Sequence, residues 1–514
     1  MMKTLKRHYL VLLVFLLALS LRFYAIANQS IVFWYDQARD FTLVQEILAG
    51  DLKIQGPSAS GTNDTIYHGV FYYYFILPWV FFGGGEVVLV NYALAVLASL
   101  TVILTYGLAY SLFKNRLTAL LASFLLAVSF LNNQLGTWLS NPQILTLSIP
   151  LFYYFFYQIF FSNKKETIYF VLFGLSLGLS IQAGFFESYL VMPIVLAYLF
   201  RAWQQKRFWW WSVWQISCFV VAVLISISSM LLTEFLLIKR GILDLNNLPL
   251  QAQAGMDLTA ILAHIYKVYL KQLQLVFSPI WPYLSFLFLL PLYFAWRKIN
   301  TNLRIFFVLL ISAPIWLMFV QQRESGHLFI GVELLLYMLL GFGLQEMWRQ
   351  QKISKIAVLL FLAIFITSNL LVLQDWRLRG KHYFYPVQSG AFLSHQLDLL
   401  RYTYHKAAGQ EFSISTLTNP YAINVTWGYL YKTYGLREFA YLPKFVGPDQ
   451  VGLVGKDFLL RQDRPSALHF TILEPDTGLN DKMTEIFMGE QDSYSSLVEE
   501  INFGSLILQV RQAK

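Results

Sequence analysis

Charge is scarce in this chain of 514 residues: Asp, Glu, Lys and Arg together make up 13% of it, against 57% hydrophobic and 17% aromatic residues. Those proportions lie outside the range of soluble globular domains and leave a polytopic membrane protein. Cysteine is nearly missing. The single Cys218 excludes an intrachain disulfide, so cysteine is silent about redox compartment. Internal repeats and low-complexity tracts are also missing. The formal charge of +9 does not point to nucleic acid, because the Lys and Arg residues fall in short clusters between apolar runs. Their arrangement reads as membrane topology.

Apolar runs long enough to cross a hydrocarbon layer of roughly 30 Å occur at about 9–27, 87–113, 117–133, 141–161, 167–184, 186–200, 208–237, 273–296, 304–320, 327–346 and 354–373. They predict about eleven spans. The first follows Lys3, Lys6 and Arg7 like a signal peptide, but its long core and the lack of a small-residue cleavage site make it an uncleaved span. With a cytoplasmic amino terminus, Lys114 and Arg116, Lys164 and Lys165, Arg201 to Arg207, Arg297 to Arg304, and Arg349 to Lys355 all fall on the cytoplasmic side. Counting His68 to Phe82 as another span would invert every later loop, and as a helix it would reach only ~22 Å. It is expected to be a re-entrant or interfacial helix on the outer face. Asp36, Asp40, His68 and the loop 238–272 then share one extracytoplasmic surface.

After Gln374 charges become frequent and no apolar run approaches a span. Alternating segments such as EFSISTL, ALHFTIL and SLILQV predict strands, and Ser389 to Ala408 has helical spacing. Two domains are expected: a transmembrane catalytic domain over 1–374, with an extracytoplasmic loop at 28–86, and a small soluble α/β domain over 375–514.

The stretch from Trp34 to Phe75 carries the candidate chemistry. It starts WYDQARDFTLVQEILAG and ends YHGVFYYYF, with Asp36 and Asp40 one helical turn apart and Arg39 between them. Asp36 has two readings, a helix N-cap or a catalytic carboxylate, and an acid beside a bilayer is expensive unless it has a use. Asp40 reads as the partner of a neighbouring cation.

The run DQARDFTLVQEILAGD, the glycine-rich loop after it, the segment from YHGVFYYYF to SLFKNR, and then TWLSNPQ resemble, in that order, the GT-C membrane glycosyltransferases. Within them the chain is similar to the branch of protein O-mannosyltransferases and the lipid A aminoarabinose transferase. The resemblance covers roughly residues 9–210 well and the later spans in general plan. Two positions depart from the family pattern. Gln37 stands where a second acid usually follows the first, and Asn141-Pro142 stands near where another acid is often found.

The resemblance implies an inverting enzyme that moves a sugar from a polyprenyl-phosphate donor to a lipid, glycan or protein acceptor at the outer face. It also implies multi-pass residence in the plasma (inner) membrane with the carboxyl-terminal domain outside. Asp36 is the expected base, with Asp40 in support. Because a lipid phosphate leaves without an acid, one carboxylate suffices, unlike the two of glycoside hydrolysis. No cofactor, metal or nucleic acid is expected.

Candidates for the donor phosphate are His68, Lys267, Lys271 and Arg323. Lys267 and Lys271 also read as lysines snorkelling at a membrane surface. Glu187 in QAGFFESY either binds acceptor or sugar hydroxyls or pairs with an interfacial cation. Arg22 either snorkels to headgroups or meets donor phosphate. A transporter or lipid-linked-sugar flippase without transferase chemistry is the competing class. Few ionisable residues in the spans and the lack of a two-half repeat argue against it.

Overall fold

In a computed structural model, residues 9–58, 67–206, 211–239, 258–320, 329–350, 352–383, 389–448, 454–475 and 479–514 are described. The expectation for Arg323 lies outside them. Helices dominate up to residue 379, and a small sheet closes the chain. In chain order the helices used below are α1 (Leu10–Ile26), α2 (Tyr35–Leu48), α3 (Phe71–Phe82), α4 (Val87–Phe113), α5 (Arg116–Val128) and α6 (Phe130–Thr137). They continue with α7 (Leu145–Phe160), α8 (Thr167–Ala183), α9 (Val191–Gln205), α10 (Val213–Ser226), α11 (Ser228–Lys239) and α12 (Leu258–Phe277). The rest are α13 (Leu289–Lys298), α14 (Thr301–Ile311), α15 (Val332–Trp348), α16 (Lys352–Arg379), α17 (Leu393–Ala407) and α18 (Val425–Leu430).

Among the described residues, five helices are long and apolar enough to cross a membrane, and eight spans result if each of three bent helix pairs counts as one. The bends are where the sequence expectation of straight runs differs from the structure. The predicted span 117–133 breaks between α5 and α6 at 62°. Its freed carbonyls find partners nearby: Asn132 donates to Leu126 O at 3.1 Å and Asn133 to Ala127 O at 2.9 Å. The predicted span 208–237 bends by 64° between α10 and α11. The run 273–296 is not continuous either. Pro279 and Pro282 interrupt it, and the flanking helices meet at 84°.

The expected interfacial helix is α3, only 12 residues long. It packs on α2 and α4. Close approach fixes the segments before it. A Cβ at Gly56 would meet Gly69 O at 2.6 Å, so glycine is required where the two strands of the loop pass each other. Gln182 at the end of α8 completes the arrangement, its carbonyl accepting from Gly69 N at 3.0 Å and its Oε1 from Phe71 N at 3.1 Å.

The carboxyl-terminal sheet has five strands in the order β2-β1-β3-β5-β4. These are β1 (Phe412–Leu417), β2 (Lys444–Phe445), β3 (Leu468–Leu473), β4 (Ser495–Phe503) and β5 (Leu506–Ala513). The central three match the alternating segments of the sequence. Parallel β1 and β3 bury nearly every side chain, whereas β4 lies at the edge with alternate residues exposed. The sheet region is fastened to the helices by backbone and tyrosine contacts. Phe33 N donates to Ala391 O at 2.9 Å, and Leu393 N donates to Ile31 O at 2.8 Å. From α18, the Tyr429 hydroxyl donates to Gly85 O at 2.8 Å. One continuous hydrophobic core therefore runs from the helical bundle into the sheet.

Candidate functional site

Helix α2 begins one residue before Asp36, so Asp36 is not its N-cap. Trp34 occupies that position, and its amide donates to Gln37 Oε1 at 3.0 Å. Gln37 also donates to Leu139 O at 3.0 Å. Gln37 is thus spent on starting the helix and tying it to the 138–141 turn. Asp36 stays in the first turn, partly open to solvent, where the helix N-terminus favours a negative charge.

Arg39 joins the two carboxylates of α2. Its Nη1 lies 2.9 Å from Asp36, and its Nε and Nη2 lie 2.9 and 2.7 Å from a single oxygen of Asp40. Three of the five guanidinium N–H groups are engaged in this way, and Arg39 also interacts with the Tyr35 side chain. Burial opposes the Arg39 charge, but Asp40 and Asp36 outweigh it and hold the group firmly protonated. Asp40 is 1% exposed, and burial, partly offset by Arg39, pushes its carboxyl up to about 6.

A cleft of about 660 Å³ opens beside this pair. Asp36 and Arg39 line it, together with Pro57, Ser58 and His68. Trp138, Ser140, Asn141, Pro142, Gly184, Phe186 and Glu187 also line it. His68 enters from the loop before α3, where its amide donates to Pro57 O at 2.8 Å. The amide of Phe185 donates to His68 Nδ1 at 3.1 Å. That bond makes Nδ1 an acceptor, so the ring is neutral and carries its proton on Nε2. Asn141 donates to Ala183 O at 3.2 Å, which ties the 138–141 wall to the end of α8. Behind Trp138, the His382 ring centre lies 4.8 Å away, and burial lowers its pKa to about 3.

The cleft therefore brings together Asp36, His68 and Glu187, with Asp40 one bond behind through Arg39. It does not bring in Lys267 or Lys271. Both lie on the exposed face of α12 and neither lines the cleft. The opposite face of α12 contributes Tyr269, Gln272, Leu273 and Val276 to a mainly apolar groove of about 800 Å³ that α15 and Phe329 complete. Arg22 fits neither of its expected readings. It is wholly buried against α4 and α6, donating to Ser99 Oγ at 3.3 Å and Asn132 O at 3.5 Å. Glu187 is 1% exposed, and among the described residues no cation pairs with it.

Two functional candidates escape the sequence reading. Arg39 is visible there only as the residue between two acids, although its i,i+3 spacing from Asp36 is the signal for the ion pair. Glu333 sits inside a predicted span, and a carboxylate in such a run marks a site by its cost alone. It lines the apolar groove, and its Oε2 accepts from Gly331 N at 2.8 Å.

A helical bundle, a short helix after His68 and a terminal sheet make up the described fold. Residues 69–232 match the family model described as dolichyl-phosphate-mannose-protein mannosyltransferase. The fold is that of ArnT from Cupriavidus metallidurans. In its apo state that structure has a TM-score of 0.58 at 10% identity, covering 98% of each chain. The same protein bound to undecaprenyl phosphate gives 0.55 at 11% identity, with the same coverage. No curated protein sequence matches the chain.

Proposed function

We propose that the chain is an inverting glycosyltransferase that takes a sugar from a polyprenyl-phosphate donor and passes it to an acceptor at the extracytoplasmic face. The observation that carries this reading is the cleft in which a partly exposed carboxylate, Asp36, faces the same space as the Arg39 guanidinium and the His68 ring. Transfer from a lipid phosphate needs one group to accept a proton and others to receive a departing anion. In a single displacement the acceptor oxygen attacks the anomeric carbon while the bond to the phosphate oxygen breaks, inverting the centre. Asp36 takes the acceptor's proton, and the lipid phosphate leaves with one more negative charge than it had in the diester.

Donors aimed at that charge are worth most where water is excluded. The Arg39 guanidinium and the His68 ring, which both line the cleft, are suited to it. Asp40 then serves as the anchor that holds Arg39 in place. The apolar groove along α12 and α15 supports a prenyl chain as ligand, since its lining is mostly hydrocarbon. The matched family description and the likeness to an ArnT bound to undecaprenyl phosphate support the same donor class. On this reading the protein lies in the plasma membrane with the cleft and the sheet domain, residues 375–514, outside.

The purified protein in detergent, given polyprenyl-phosphate sugars of several kinds and lipid, glycan or protein acceptors, is expected to consume a donor. The product should have the opposite anomeric configuration, read by coupling constants in its NMR spectrum. Transport of an intact donor across vesicles without any glycosidic product would favour a flippase instead.

A further inference from the structure

Beside the cleft lies an acidic region that the reaction above does not use. Glu187 lines the cleft, is almost completely buried, and has one carboxyl oxygen, Oε2, with no hydrogen-bond partner among the described residues. The buried Tyr189 hydroxyl interacts with the Glu187 carboxyl, and the Tyr153 hydroxyl is buried without a hydrogen-bond partner among the described residues. These groups form one electrostatic neighbourhood with Glu333: Tyr189 interacts with Glu187, Tyr153 and Glu333, and Tyr153 with both acids. Glu333 is already satisfied by the Gly331 amide. Glu187 is the acid at the cleft wall with bonding capacity to spare.

A buried polar atom left without a partner is costly, so such atoms in the wall of a cleft are suited to being satisfied by what enters it. The entering group is constrained by charge. Among the described residues no cation pairs with Glu187 or Glu333, whereas the Arg39 guanidinium lines the cleft beside Asp36. Within the cleft the donor phosphate therefore belongs beside Arg39, and the acceptor nucleophile beside Asp36. The part of the donor left to face Glu187 is the glycosyl ring.

We infer that Glu187 is a specificity-determining residue whose free carboxyl oxygen receives an O–H or N–H hydrogen from the transferred sugar. This deepens the glycosyltransferase reading and rests on it. The Gly184 backbone shapes the same corner, because a Cβ there would press on Glu187 Cγ at 3.3 Å.

The test is a cycle between ligand and residue that needs no acceptor. Binding of a polyprenyl-phosphate hexose, its monodeoxy analogues and its amino analogues is measured by thermal stabilisation of the full-length protein in detergent. For the wild type, one deoxy analogue should bind roughly ten- to a hundredfold more weakly than its parent, the loss that follows when a buried polar group is left unpaired. In Glu187→Ala that penalty should disappear, since nothing remains to be left unpaired. Glu187→Gln, which keeps an acceptor oxygen, should retain the penalty and lose any extra affinity for an amine, so the amino arm separates N–H from O–H as the group received. Equal weakening of every ligand by Glu187→Ala, or a wild type indifferent to all deoxy analogues, would overturn the inference. Coupled binding with no donor consumed would sink the transferase reading alone, and failure of every donor to bind would sink both.

Discussion

Arg39 Nη1 lies 2.9 Å from Asp36, one turn earlier on the same helix, and this contact ties the candidate base to the candidate phosphate ligand. The same guanidinium is anchored from behind by the buried Asp40. Base and cation are therefore set by the geometry of a single helix turn.

Arg39→Ala should be costly in two ways. Removing one partner leaves the buried Asp40 uncompensated, which typically destabilises by about 3–5 kcal/mol. Donor turnover should also fall, and Arg39→Lys should restore folding better than turnover, because an ammonium cannot keep both carboxylates and still offer a fork to phosphate. Thermal unfolding and initial rates on the three proteins check this, and wild-type turnover in Arg39→Ala would remove Arg39 from the site.

Asp40 should give the protein a pH signature. Its folded pKa, about 6, lies above the ordinary value of 3.8, so between those values the native state binds more protons than the unfolded one. The sign follows: its contribution is fully present below the ordinary value and is lost as pH rises towards 6. Melting temperatures across that window should show up to one proton's worth of slope that Asp40→Asn abolishes. An identical slope in the variant would mean that Asp40 is not the group that titrates.

His68→Ala should lower kcat by on the order of a hundredfold, the usual loss on removing one donor to a developing negative charge. The donor's affinity should change less, because the extra charge on the phosphate appears only as the bond breaks. Should KM rise alone while kcat holds, His68 would be a ground-state contact and not part of the leaving-group site.

Tyr429→Phe probes the joint between sheet and bundle. The hydroxyl donates to the buried Gly85 carbonyl, and leaving that oxygen unpaired should cost about 1–3 kcal/mol. The prediction is a lower melting temperature with kcat unchanged. A loss of kcat at unchanged stability would instead make the joint a functional element.

What the sequence reveals and what it conceals separate along a physical line. The helical character, the short helix after His68 and three of the strands follow from local periodicity and length. The cleft does not, because its walls come from segments that are far apart in the chain. Gln37 and Leu139 are an example, joined at 3.0 Å by a side-chain amide that no local pattern announces. The broken spans were concealed for a related reason: Asn132 and Asn133 look like polar interruptions in an apolar run, and only the bend at Ser129 reveals the carbonyls they serve. Asp36, His68 and Glu187 could be nominated from sequence. That they face one space, while Lys267 and Lys271 face another, required the packing of α2 against α3 and the turn after α8.

The most direct test of the central claim is turnover of a polyprenyl-phosphate sugar by the wild type and by Asp36→Asn, matched for folding by melting temperature. An asparagine keeps the shape but cannot take a proton, so the rate should drop by about a hundredfold or more while the donor still binds. Turnover by Asp36→Asn at the wild-type rate would contradict the assignment of this carboxylate as the base.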